Sequence, residues 1–274
     1  MASTDSNASR IVSCMSAMVA MSLGFMTLRL FCKKYYGKIF GWDDYILTCS
    51  WLFLASYVAL TIASTHYGVG RHLATLSPDE IRVSGELLYV GEFFAILAVA
   101  VSKTSFAVTL FRFANERWHS ILLWTVMVTV NLFMWSCATL LLAQCQPPEK
   151  LWNFVVEGRC WPPRFYVFYS VCAGGAWSAG MDIVLAIFPW FLLVPMRNIK
   201  WADKIGVGIA MSLGVFAGIT GIVKTIILYQ VPPHSDFTYI SADLLIWAAA
   251  ESAAVISAAS IPFYRPFFTD SIYV

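Results

Sequence analysis

The chain has 274 residues, 59% apolar and 12% charged, with a formal net charge of +2. A water-soluble domain carries about 25% charged residues, so this surface is too poor in charge for water, and lipid is the solvent that tolerates it. A near-neutral chain with scattered lysines and arginines also lacks the basic field that nucleic acid requires.

A helix crossing a bilayer needs about 20 mostly apolar residues. Residues 1–10 form a short polar tail, and the apolar run after them is too long for a signal peptide and lacks an Ala-x-Ala cleavage site. It is read as a retained first helix. Seven segments reach spanning length: Ile11–Phe31, Tyr45–Thr65, Leu87–Phe113, Ile121–Ala143, Phe165–Val194, Ile205–Gln230 and Leu244–Pro262. Barrel strands would alternate over about ten residues, and these runs do not. The expected fold is an all-α membrane protein. A seven-transmembrane-helix bundle fills residues 11–265, and 266–274 form a short tail.

Lysine and arginine collect on the cytosolic side of a membrane protein. Arg29, Lys33, Lys34, Lys38, Arg112, Arg117, Arg197, Lys200, Lys204 and Arg265 fall on one side. Fewer fall on the other, so the N-terminus is expected outside and the C-terminus in the cytosol. Asn7-Ala8-Ser9 is a glycosylation sequon, usable only on an outside terminus. Cys145 and Cys160 share one outer loop, where disulfides persist. Bridged, they would close about 15 residues and add roughly 3 kcal/mol; the alternative is two free thiols. Trp42, Trp118, Trp161, Trp201 and Tyr166 fall near predicted boundaries, where amphipathic rings settle.

Apart from Arg29 and Arg112 near segment ends, five ionisable residues fall inside predicted helices: Glu92, Lys103, Asp182, Lys224 and Glu251. Each costs about 2.5 kcal/mol or more at a helix centre unless paired or hydrated. Glu92 and Lys103 are about three turns apart and share a face. Residue counting from the outer helix ends predicts an inner pair of Lys103 with Asp182. It also predicts an outer cluster of Glu92, Lys224 and Glu251. These charges could be glue between helices or a ligand path. Gly214 and Gly218, extended by Gly221, space small residues for close helix approach, and Gly174, Gly175 and Gly180 do the same in the fifth helix. Pro189 should kink that helix.

Little else points to chemistry. His66, His72 and His234 lie on the outer side, with Asp236 near His234. Two histidines six apart in a loop are not a metal signature, so no metal site is expected. The glycines of His66-Tyr67-Gly68-Val69-Gly70-Arg71-His72 permit a tight turn. No zinc-protease, nucleophile-elbow, phosphate-loop or dinucleotide motif is present. A retinal Schiff base would need a lysine in the last helix; Leu244–Pro262 has Glu251 instead, and Lys224 is one helix early. Retinal is not expected, and no other cofactor is implied.

Several short marks stand in a specific order. They are Gly41-Trp42-Asp43-Asp44-Tyr45, Gly68-x-Gly70-x-His72, Lys103-x-Ser105 followed by Arg112, Cys145-Gln146-Pro147, Lys150-x-Trp152 and Gly158-x-Cys160. Asp182 before Pro189 and Glu251 before Pro262-x-x-Arg265-Pro266 complete the set. In these the chain resembles the fungal rhodopsin-domain family over nearly its whole length, with Lys224 where that family often has arginine. The resemblance implies a receptor-like seven-helix protein of filamentous fungi, in a plasma or internal membrane. Some members sit among secondary-metabolite genes, and the family name does not imply retinal. Asp43 and Asp44 are read as an interfacial turn or helix cap. The leading expectation is a small ligand entering from the outer side near Glu92, Lys224, Glu251 and His72. The alternative is a membrane-embedded enzyme acting on an apolar metabolite, with Glu92, Glu251 or His72 as acid or base. Expected partners are the lipid bilayer, such a metabolite, and another copy through helix contacts.

Overall fold

The first helix, α1 (Ala8–Tyr35), opens a series of rods whose ends are set by ordinary capping chemistry. The protein is described here from a computed structural model covering residues 7–36, 40–71, 75–112, 114, 116–153, 155–193, 201–230 and 237–264. Next come α2 (Trp42–His66), α3 (Pro78–Phe111) and α4 (Arg117–Ala143). A two-stranded hairpin, β1 (Cys145–Gln146) and β2 (Arg159–Cys160), follows, with a 3-10 turn over Pro148–Leu151 between the strands. The fifth rod, α5, runs through Pro163–Tyr169, a π-helical stretch Ser170–Trp177, and Ser178–Leu193. Then come α6 (Trp201–Gln230), α7 (Phe237–Ser260) and a closing 3-10 turn, Ile261–Tyr264. Seven of these rods are long and apolar enough to cross a membrane, and the chain is an integral membrane protein.

Every helix starts before its apolar segment, and two do so by about two turns. Helix α3 begins at Pro78, not Leu87, because Ser77 caps it. The Ser77 Oγ accepts the Glu80 amide at 3.3 Å, and a Glu80 carboxylate oxygen accepts the Ser77 amide at 2.8 Å. That is a reciprocal capping box with proline at the first helical position. Helix α7 begins at Phe237, not Leu244. In both cases the helix continues past the apolar window, which marks only what hydrocarbon must cover.

The rods pack as a ring in sequence order, with α1 closing against α7 and α3 touching α7 across the middle. Burial follows: 89% of the apolar window of α7 is enclosed, against 22% for α1. Small residues make this possible. Ala248, Ala249, Ala253, Ala254, Ala258 and Ala259 are all buried, and they let neighbouring backbones come close. The Gly214, Gly218 and Gly221 face of α6 does the same against α5. A Cβ on Gly214 would sit 2.7 Å from the Ala186 Cβ, and one on Gly221 3.2 Å from the Ala179 Cβ. Gly180 differs from expectation: a Cβ there meets nothing within 4 Å, so it is not at a helix contact. Gly68 and Gly70 have φ of 109° and 89°, a region open to glycine. The turn they make lets the Gly70 carbonyl accept the Asn7 amide at 3.1 Å, tying the start of α1 to the loop after α2.

Candidate functional site

Lys103 comes off the buried face of α3 and reaches α5 and α7 together. Its ammonium donates to the Ser178 carbonyl at 2.9 Å, to the Ser178 hydroxyl, and to Glu251 Oε1 at 3.0 Å. Asp182 Oδ2 lies 2.9 Å from the same nitrogen, so the two carboxylates share one buried ammonium. The other Glu251 oxygen, Oε2, accepts from Lys224 of α6 at 2.6 Å. Ser178 adds a bond to Oε1 at 3.2 Å.

The structure brings Lys103 and Asp182 together, and Lys224 and Glu251 together, but it does not keep two separate levels. Glu251 bridges both lysines, so the inner pair and outer cluster are one site. The depth count went astray because α7 starts at Phe237. That places Glu251 about four turns in, not two, level with the tip of the long Lys103 side chain.

Glu92 stands apart. It is half-buried on α3 and, among the described residues, takes part in no ion pair within 4 Å. Lys224 and Glu251 are the charges within electrostatic reach of it, as are the phenols of Tyr57 and Tyr166. Tyr57 is itself fixed by donating to the Leu245 carbonyl at 3.0 Å. One turn above Glu92, Tyr89 packs against Trp152 of the hairpin, with ring centroids 6.2 Å apart. Gly85, one turn higher, lets the hairpin settle: a Cβ there would lie 3.0 Å from the Trp152 Cβ. The Cys145–Cys160 disulfide closes the base of that hairpin, with the two residues paired across the strands. Tyr166, near the start of α5, is half-buried with Glu92 and Tyr89 within electrostatic reach. His72, His234 and Asp236 lie outside the described residues.

A second charged cluster sits at the end of the bundle opposite the hairpin. Arg29 and Lys33 of α1 are one turn apart and fully buried. Arg29 binds Asp43, and reaches Asp44 at 3.0 Å and the Ala259 carbonyl at 2.5 Å. Lys33 donates to Asp43 at 2.8 Å and to Asp44 at 2.6 Å. Arg112 at the end of α3 also binds Asp43. Phe263 lies 4.1 Å from both the Arg29 and Lys33 cationic groups. Hydropathy leaves Lys33 beyond the first apolar segment, which ends at Phe31, and their position before Tyr45 gives Asp43 and Asp44 a turn or capping role. Asp44 does accept the Gly41 amide, at 3.1 Å, but both acids chiefly neutralise buried cations. The available signal was the match of Arg29 and Lys33, four apart on a helix, with adjacent acids a short loop away.

A model of the fungal rhodopsin domain matches residues 28–270. The chain is also 25% identical over 138 residues to "Fugralins biosynthesis cluster protein 2" of Gibberella zeae. That match covers 45% of this chain and 33% of the relative, so the chain spans well under two thirds of that protein.

Proposed function

We propose, from the premise that this chain belongs to the fungal rhodopsin domain family, that it is a receptor-like membrane protein. A small ligand would reach Glu92 from the hairpin end. The carrying observation is the contrast between Glu92 and the charges beneath it. Lys103, Asp182, Lys224 and Glu251 neutralise one another, whereas Glu92 has no ion-pair partner among the described residues. An unpaired acid inside a membrane bundle is costly as mere glue. A ligand that completes Glu92 would also compete for Lys224 and so alter the Lys224–Glu251 pair. That couples the ligand to α3, α5, α6 and α7 through differential interaction energy. Orientation with the hairpin outside agrees with its disulfide.

The name of the Gibberella relative favours a second reading, a membrane enzyme acting on an apolar metabolite. Glu92 then suits acid–base work better than Glu251, whose two oxygens are both engaged. The test is affinity selection of an apolar metabolite extract on purified protein in lipid nanodiscs, read by mass spectrometry. Compounds held by the unaltered chain and released by Glu92→Gln support the site. An identical retained set on Glu92→Gln and on Trp152→Ala overturns it. Chemical conversion of a retained compound separates enzyme from receptor.

A further inference from the structure

We infer a second binding site, on the lipid-facing side of α3 and α4, for an apolar molecule carrying a hydroxyl group. Two grooves, of about 460 and 540 Å³, share Val128 and Asn131. Trp124 and Trp135 stand exposed along the same stripe of α4. An apolar groove in a bilayer fills with lipid chains, so Asn131 is what selects an occupant.

The Asn131 amide is locked in one orientation. Its NH₂ group donates to Thr104 Oγ1 at 2.7 Å and to the Met127 carbonyl at 2.8 Å. Thr104 has already directed its own proton to the Ala100 carbonyl at 2.8 Å, so it can only accept, as can Met127. Turning the amide over would set its oxygen against two acceptors. Both amide hydrogens are therefore committed, and the amide oxygen remains an acceptor with no donor among the described residues. Asn131 lies near the midpoint of Arg117–Ala143, where neither water nor a phospholipid headgroup supplies one. An acceptor left bare in hydrocarbon is unfavourable.

The occupant must therefore bring a donor on an apolar body. A second copy of the chain fits poorly. A two-fold contact centred on Asn131 would set two acceptor-only amides face to face. A ketone or an unsubstituted hydrocarbon leaves the oxygen bare. A free apolar alcohol supplies one O–H to Asn131 and lays its hydrocarbon between Trp124 and Trp135. This site lies outside the charged interior and does not depend on the role given to Glu92.

The test is photolabelling of the full chain in dioleoylphosphatidylcholine nanodiscs. The probes are a diazirine-bearing octanol, the matching octane and the matching octanone, with labelled peptides mapped by mass spectrometry. The alcohol should label 124–139 about fivefold more than either partner, the ratio one net hydrogen bond gives. Asn131→Leu should bring all three probes level. Thr104→Val frees one amide N–H as a donor and should raise the octanone to the level of the alcohol, which keeps the proposal testable if the leucine variant does not fold. Equal labelling by all probes in the unaltered chain overturns the site. So does a preference for the alcohol that survives Asn131→Leu, or loss of labelling on formation of a dimer that crosslinks through Trp135→Cys.

Discussion

Lys103 has three N–H groups, and they converge on Ser178 and Glu251 with Asp182 alongside. An ammonium can aim three donors from one point, whereas a guanidinium spreads its donors in a plane. Lys103→Met removes the cation from between two buried carboxylates and should cost about 3–5 kcal/mol, the range for a buried pair deprived of one partner. Lys103→Arg should recover less than half of that loss, although it keeps the charge. Unfolding of the purified variants in mixed detergent measures both. Glu92 supplies the contrast. It breaks no pair when neutralised, so Glu92→Gln should shift stability by about 1 kcal/mol or less. If Glu92→Gln proves as damaging as Lys103→Met, Glu92 is a structural group and the ligand reading fails.

At the level of single helices, the same residue type has opposite consequences in different surroundings. Gly214 lies against Ala186 so closely that an added Cβ must displace backbone or a methyl group. Gly214→Ala should therefore destabilise by about 1–3 kcal/mol through overpacking. Gly180 has open space around it, so Gly180→Ala should be neutral or stabilising by up to about 1 kcal/mol, the helix propensity that glycine forgoes. Thermal unfolding of the two variants side by side checks the pair, and equal losses would refute the packing assignment. Spacing in the sequence marked the glycines of α6 correctly, because a run of small residues four apart must share a face. It could not distinguish Gly175, which crowds Thr225, from Gly180, because that depends on which neighbour each faces. The π-helical turn at Ser170–Trp177 left no trace in hydropathy either. Widening a helix by one residue per turn changes neither its length nor its apolar content appreciably.

For the molecule as a whole, the number of rods and their rough limits were legible because hydrocarbon imposes a length on every crossing segment. The pairing of charges was only partly legible. Residue counts estimate depth along a rod, but Lys103, Lys224 and Arg29 carry long side chains that reach past a full turn. The cluster of Arg29, Lys33, Asp43, Asp44 and Arg112 was hidden for a further reason: residues at the ends of apolar runs read equally well as loop charges. Its burial also changes the argument for orientation, since Arg29 and Lys33 are matched by Asp43 and Asp44 and weigh less as free positive charge. The hairpin then carries more of that argument. A disulfide persists on the side of the membrane away from the reducing cytosol, so the hairpin end should be outside and the Arg29 end inside. Val155 in the hairpin loop is 89% exposed, and Trp118 at the start of α4 is 49% exposed. Val155→Cys and Trp118→Cys therefore place a thiol at each end of the bundle without entering its core. On sealed cells, a membrane-impermeant maleimide should label the Val155→Cys chain, and the Trp118→Cys chain only after the membrane is opened. The five native free cysteines lie within the membrane-spanning helices, and the unaltered chain measures their background. Labelling of Trp118→Cys on sealed cells, with Val155→Cys protected, would turn the molecule over. The hairpin and the approach to Glu92 would then face the cytosol.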